Sequence, residues 1–114
     1  MFTQLKLVNF ALILSYPQTM SYYFIAQIKI NDEKEYQKYI DKAGEVFKKY
    51  NGKYLAVDNK PELLEGKWDY TRTVLIEFNN REDFNTWYHS PEYQNILKHR
   101  LKAATCDTIL VKGL

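Results

Sequence analysis

The fold is decided between residues 22 and 50, where the sequence reads YYFIAQIKINDEKEYQKYIDKAGEVFKKY. In its first nine residues the side chains alternate between two faces, and one face is wholly apolar, as in a β-strand. From Tyr36 onward, apolar side chains recur every three or four positions, which predicts an amphipathic helix. Asp32 and Glu35 have the spacing of a capping pair at its start. Gly52 is expected to take the left-handed conformation that ends a helix.

The alternation typical of a strand and the three-to-four-residue spacing typical of a helix both recur in the rest of the chain. The sequence predicts strands at Lys53–Val57, Arg72–Phe78 and Cys106–Lys112, with helices that begin after Asn80 and Ser90. Residues 62–65 are a candidate continuation of the second strand, followed by a turn at residues 66–71. The order β-α-β-β-α-β predicts an α+β, ferredoxin-like antiparallel sheet with helices on one face.

The sheet face without helices has an unusual composition. We expect it to present the following side chains: Tyr23, Ile25, Gln27, Thr73, Leu75 and Glu77. An exposed sheet face with this many apolar side chains would promote association or aggregation of a monomer. Pairing two such faces across a two-fold axis would cover them, so we expect a homodimer.

Residues 1–19 differ from the rest of the chain, since they carry one charge, Lys6. We interpret them as an N-terminal extension that precedes a single domain at residues 20–114, with Met20 as the expected true start. A signal peptide, an extra strand and an anchoring arm are the alternatives, and the signal-peptide pattern is only partly met. The core pattern is complete without this extension. The run Leu7–Leu14 is far shorter than a membrane span.

Composition excludes several classes of function. The chain has 114 residues, of which 46% are apolar and 26% are charged, as in an ordinary globular protein. A net charge of +2 is too weak for an electrostatic nucleic-acid binder. Cys106 is the single cysteine, so no intrachain disulfide and no cysteine-based zinc site is expected. We expect no metal, no cofactor, no nucleic acid, no membrane contact and a cytoplasmic location.

The run Trp87-Tyr88-His89-Ser90-Pro91-Glu92-Tyr93-Gln94 resembles the DUF1330 family of domains of unknown function. The strand at residues 74–78, the residues Glu65-Gly66-Lys67-Trp68 and the later Arg100 share the resemblance, which covers about residues 20–113. Asn51 stands where the family usually has glycine. The resemblance implies a ferredoxin-like fold dimerised as an α+β barrel. It implies no established reaction, since related barrels include cofactor-free monooxygenases, small isomerases and haem enzymes.

Three residues are candidates for catalysis. Glu65 and Arg72 bracket a turn and should be close if the hairpin is regular, either as an anion or carbonyl site organised by Arg72 or as a structural ion pair. Glu77 is a mid-strand carboxylate on the expected dimer face. Desolvation there would suit it to general-base catalysis, whereas a hydrogen bond or an intersubunit pair is the structural alternative.

Other residues are candidates for ligand binding. Arg100 shares a buried helical stripe with Tyr93 and Leu97, so its charge needs a partner or a ligand, unless its head reaches water. Five aromatic side chains could line an apolar pocket with polar tips: Tyr39, Trp68, Trp87, Tyr88 and Tyr93. Aromatic residues at helical spacing are more often core.

Two functional hypotheses remain open from the sequence. The first is a cofactor-free enzyme that acts on a small carbonyl-bearing or anionic molecule, with Arg72 and Arg100 holding the anionic end and Glu65 or Glu77 acting as acid and base. The second is a non-catalytic small-ligand-binding or structural dimer. An open cavity with Arg100 pointing inward would favour the first.

Overall fold

The computed structural model describes residues 20–114. The strands are β1 (Tyr22–Ile30), β2 (Lys53–Asp58), β3 (Arg72–Phe78) and β4 (Ala104–Lys112), and the helices are α1 (Glu33–Lys49), α2 (Arg81–Tyr88) and α3 (Pro91–Ala103). This is the predicted α+β, ferredoxin-like arrangement with its second helical segment in two parts. The expected extension at residues 1–19 lies outside the described residues.

The sheet has the order β2-β3-β1-β4, and every neighbouring pair is antiparallel. The first strand is therefore central, and Tyr22 is paired with both Phe78 and Lys112. The helices cover one face, where the alternate residues of β1 and β3 are buried. The ferredoxin-like topology predicted from the sequence is thus confirmed.

The helices begin where their capping residues predict. The side chain of Asp32 accepts from the backbone N–H of Glu35 at the start of α1. Asn80 accepts from the N–H of Asp83 at 2.7 Å, and Ser90 accepts from the N–H of Tyr93 at 3.0 Å. Each cap satisfies one backbone donor that the first helical turn leaves without a partner.

The end of α1 differs from the sequence prediction. Asn51, with φ of 64°, takes the left-handed conformation that we expected of Gly52. Gly52 is required for space instead, because a Cβ there would lie 3.1 Å from the Phe78 ring and 3.2 Å from the carbonyl oxygen of Phe47.

The segment between β2 and β3 is a long loop, so the strand continuation at residues 62–65 was wrong. The loop ends firmly on the sheet, since Thr71 N–H donates to the carbonyl oxygen of Ile28 at 2.7 Å. Lys29 and Asp69 form an ion pair at 2.8 Å, and the Tyr70 hydroxyl donates to Asp107. These contacts fix the position at which β3 begins, and hence the position of Arg72.

The core is centred on Trp87, which is 0% exposed. Its ring centroid lies 4.1–5.8 Å from those of six other aromatic side chains: Phe24, Phe47, Phe78, Phe84, Tyr88 and Tyr93. This cluster joins the sheet to all three helices, since its members come from β1, β3, α1, α2 and α3.

The opposite sheet face carries a continuous apolar row. Ala56, Leu75, Ile25 and Ile109 are aligned across the four strands, one from each. Ile109 is 57% exposed, and Val111 beside it is also exposed. No element within residues 20–114 forms a helical layer over this face.

An ionic cluster joins α1 to α3. Glu35 lies 3.2 Å from His99 Nδ1 and 3.1 Å from Lys38 Nζ, and these hydrogen bonds lower its pKa below the ordinary 4.5. The ionised carboxylate therefore stabilises the fold above about pH 4.5, and this contribution is lost as the pH falls through the lowered pKa.

We therefore expect Glu35→Gln to be less stable than the wild type at neutral pH and to approach it as the medium becomes acidic. Urea denaturation from about pH 7 to about pH 3 measures the difference. Glu45→Gln, at an exposed position on the same helix, is the control. A difference between wild type and Glu35→Gln that did not change with pH would contradict the assignment.

Candidate functional site

A small cavity lies between α1 and the sheet. Its volume is about 30 Å³, and its walls are formed mainly by apolar side chains of β1, α1 and β3. Two cationic side chains, Arg72 and Arg100, also line it. They come from elements that are distant in the sequence, the start of β3 and the last turn of α3. The fold thus brings the two sequence-predicted arginines to one cavity.

Arg100 is the most unusual residue of the cavity. It is only 3% exposed, because its place on the stripe of Tyr93, Ile96 and Leu97 turns it toward the sheet. Its Nη2 donates to the Tyr93 hydroxyl at 3.4 Å, and its guanidinium lies 5.7 Å from the centre of the Tyr39 ring. Its Nε has no hydrogen-bond partner. No carboxylate within residues 20–114 forms an ion pair with it.

The groups around Arg100 do not neutralise its charge. Tyr39 and Tyr93 share a hydrogen bond of 2.8 Å between their hydroxyl oxygens. Burial raises the pKa of both phenols, so they keep their protons at neutral pH. Desolvation by itself lowers the pKa of Arg100, but the neighbouring Tyr93 and Tyr39 raise it above its ordinary value, so the guanidinium stays charged. Burying a cation without a neighbouring anion costs free energy, unless a bound ligand supplies the negative charge.

Arg72 lies at the boundary between the cavity and an outer groove. The groove has a volume of about 330 Å³ and shares Tyr36, Ile40 and Arg72 with the cavity. The Arg72 guanidinium lies 5.7 Å from the centre of the Tyr36 ring, and its Nη1 donates to Asn59 Oδ1 at 2.8 Å. Its Nε is buried and has no partner. Arg72 thus retains an unused donor beside the cavity.

The structure separates the two candidate carboxylates from this cavity. Glu65 is exposed in the β2–β3 loop, beside Leu64 and Trp68, and forms no ion pair with Arg72. The expectation of a Glu65–Arg72 pair was wrong because residues 59–71 form a long loop and not a regular hairpin. Glu77 lies on the opposite face of the sheet, paired in register with Tyr23 and Lys53.

The predicted aromatic residues fall into three groups. Tyr39 lines the cavity, and Tyr93 lies behind it with its hydroxyl bonded to Tyr39. Trp87 and Tyr88 belong to the core cluster and its edge and do not line the cavity. Trp68 lies in the β2–β3 loop against Tyr70.

Sequence reasoning missed two tyrosines that line the cavity, Tyr36 and Tyr54. Tyr36 precedes Tyr39 by three residues, so helical spacing could have placed it beside Tyr39. Burial raises the pKa of Tyr36, so its phenol stays protonated at neutral pH and can donate a hydrogen bond. Tyr54 is paired with Ile76 and so faces the helices. No sequence signal identifies it, because a β-bulge at Leu55 changes the register of β2.

The cavity holds no group of metal ligands. Within residues 20–114, no three His, Cys, Asp or Glu side chains lie close enough together to share a metal ion. The donors that line the cavity are guanidinium and phenol groups. Such groups donate hydrogen bonds to oxygen anions and carbonyl oxygens.

The model of one sequence family matches residues 21–114, nearly the whole described part of the chain. The chain belongs to the DUF1330 family. That family is defined as a domain of unknown function. No curated protein sequence matches this DUF1330 chain significantly. No helix within residues 20–114 is both long enough and apolar enough to cross a membrane.

Solved structures share the fold of this DUF1330 domain. A protein of unknown function from Rhodopseudomonas palustris is 20% identical over 93% of this chain and 92% of its own, with a TM-score of 0.72. The cofactor-independent oxygenase SnoaB from Streptomyces nogalater is 12% identical over 81% and 91%, with a TM-score of 0.60. A dimeric ferredoxin-like protein of unknown function from Thermobifida fusca is 19% identical over 85% and 92%, also with a TM-score of 0.60.

Proposed function

We propose that the protein binds a small anionic or carbonyl-bearing molecule in the cavity between α1 and the sheet, with an oxygen of that molecule hydrogen-bonded to Arg100. The observation that supports this is the buried guanidinium of Arg100, whose Nε has no partner and which no carboxylate of residues 20–114 neutralises. A purely structural arginine at this depth would be paired, because an unpaired buried charge is expensive.

The chemistry offered to such a ligand is electrostatic. Arg100, Arg72 and the phenols can stabilise negative charge that develops on an oxygen, as in an enolate or another oxyanion. This supports a cofactor-free enzyme, and the oxygenase SnoaB is a protein of similar fold described as cofactor-independent. The alternative is a non-catalytic binding protein. It is favoured by the lining of the cavity, in which the described residues include no carboxylate or imidazole to act as a base.

Acetate is a suitable probe for the binding step. The chain has three arginines, Arg72, Arg81 and Arg100, so their Nε–H signals can be assigned in ¹H–¹⁵N spectra. We expect acetate, added at constant ionic strength, to shift the Arg100 signal in a saturable way and to leave exposed Arg81 unchanged. Arg100→Gln should remove the saturable shifts of neighbouring signals, whereas Arg81→Gln should keep them. Equal and unsaturable shifts of Arg100 and Arg81 would overturn the proposal.

We also propose that two chains pair through the sheet face that carries Ala56, Leu75, Ile25 and Ile109. The support is the exposed apolar row and a similar fold described as dimeric. Such a row is the kind of surface that an isologous interface covers.

We expect the wild type to sediment as a dimer at micromolar concentration and Ile109→Lys to sediment as a monomer, because a buried lysine would lack a counter-ion. Leu101→Lys on the helical side is the matched control, since Leu101 is 63% exposed. A monomeric wild type, or a dimer that Leu101→Lys disrupts and Ile109→Lys does not, would contradict this interface.

A further inference from the structure

The site consists of two compartments with different sizes and different polarity. The inner cavity of about 30 Å³ reaches Arg100, and the outer groove of about 330 Å³ lies beyond Arg72. Tyr36, Ile40 and Arg72 line both compartments, so a ligand that reaches Arg100 from the groove passes these three side chains. The two compartments can therefore bind two different parts of one ligand.

The inner cavity is small enough to select the group that enters it. Its volume accommodates about two water molecules. That is the scale of the two oxygens of a carboxylate and much smaller than an aromatic ring. Arg100 and Arg72 each have an unpartnered Nε beside this space. A carboxylate can accept from two guanidinium groups at once, because its two oxygens together offer about four lone-pair sites.

The outer groove selects the rest of the ligand by its polarity. The side chains of Glu33, Gln37, Asn59 and Thr71 line it. Gln37 donates its amide nitrogen to Asp41, which leaves the amide oxygen as an acceptor, and Asn59 uses its oxygen to accept from Arg72, which leaves its amide N–H groups as donors. The Thr71 hydroxyl is engaged in both directions, with Ile30 N–H and the Ile28 carbonyl oxygen.

Glu33 makes the groove unfavourable for a negatively charged group of the ligand. Its carboxylate is an acceptor and attracts hydroxyl donors, but it repels a second carboxylate on the ligand. An apolar ring in the groove would also displace water from Glu33, Gln37 and Asn59 without replacing the hydrogen bonds, which costs affinity.

We propose that the ligand is a small hydroxylated monocarboxylate, with its carboxylate in the inner cavity between Arg100 and Arg72 and its hydroxyl groups in the groove against Glu33 and Gln37. This rests on the proposed function, in which Arg100 receives an oxygen of the ligand, and it adds the class of molecule. In the groove, the ring of an aromatic acid would forfeit hydrogen bonds and the second carboxylate of a dicarboxylate would be repelled by Glu33, so neither class gains affinity over a simple carboxylate.

Four sodium salts test the class, with the Arg100 Nε–H signal of the full chain as the readout. Acetate carries the carboxylate alone, glycerate adds two hydroxyl groups, benzoate adds an apolar ring and succinate adds a second carboxylate. We expect glycerate to bind about tenfold more tightly than acetate, the effect of one good hydrogen bond to a charged group. Benzoate and succinate should bind no better than acetate.

Two variants test whether the preference for glycerate over acetate arises in the groove. Gln37→Leu and Glu33→Gln should each reduce the ratio of the glycerate affinity to the acetate affinity. Glu45→Gln, elsewhere on the same helix, should leave both affinities unchanged. The far-ultraviolet spectrum verifies that each variant is folded.

The outcomes separate the two proposals. Binding of acetate and benzoate with no advantage for glycerate would overturn the hydroxylated class and leave Arg100 as an anion site. Preservation of the glycerate advantage in both groove variants would overturn the assignment to Glu33 and Gln37. Absence of a saturable Arg100 shift with all four salts would overturn the proposed function itself.

Discussion

Trp87→Ala is expected to lower the free energy of unfolding by about 3–5 kcal/mol, the usual cost of removing a large aromatic side chain from a core. Trp87 is fully buried, and its ring contacts aromatic side chains of β1, β3 and each helix. The surrounding rings are too rigid to fill the space, so a cavity remains. Urea denaturation followed by circular dichroism measures the loss.

Trp68→Ala is the matched control, because Trp68 is a partly buried residue of the β2–β3 loop. We expect it to cost no more than about 1–2 kcal/mol. Similar losses for the two variants would contradict the placement of Trp87 at the centre of the core. Since Trp87 does not line the cavity, acetate should still shift the Arg100 signal in any Trp87→Phe protein that folds.

Arg100→Met is expected to raise the free energy of unfolding of the ligand-free protein by about 1–4 kcal/mol, the range found when buried ionic groups are replaced by apolar ones of similar volume. Methionine keeps the unbranched shape of the arginine stem, so little packing is lost. The hydrogen bond that it removes, to Tyr93, is long at 3.4 Å. The same variant should lose acetate binding, so stability and function should change in opposite directions.

Arg81→Met is the control, since Arg81 is exposed at the start of α2 and should change stability by no more than about 0.5 kcal/mol. Urea denaturation in a buffer without carboxylates gives both values. A loss of several kcal/mol in Arg100→Met would mean that the guanidinium holds the fold together, and Arg100 would then not be a ligand site.

The fold could be predicted because every element carries a local signal. The alternation in β1, the three helix caps and the stripe of α3 each reflect interactions between near neighbours in the sequence. Arg100 was also predictable, since its i+7 spacing from Tyr93 placed its charge on a buried face. Its lack of a carboxylate partner was not predictable, because this depends on every element that packs against it.

The errors at the site have two physical causes. Aromatic residues at helical spacing give the same signal whether they fill a core or line a cavity, so Trp87 and Tyr88 could not be told apart from Tyr39 and Tyr36. Glu65 was placed beside Arg72 on the assumption of a regular hairpin. The contacts that fix the loop instead, such as Tyr70 with Asp107, join residues far apart in the sequence.

The central position of β1 has a consequence for the order of events on the ribosome. Tyr22 pairs with Phe78 on one side and with Lys112 on the other. Of the strands at residues 20–114, β1 is therefore synthesised first, but it cannot complete its pairing until β4 has been synthesised. Closing such long loops costs chain entropy before the native contacts form, which slows folding relative to a domain built from local pairings. Until residues 72–112 emerge, β1 and α1 have apolar surface and strand edges without a partner, which are the features that make a nascent chain prone to association.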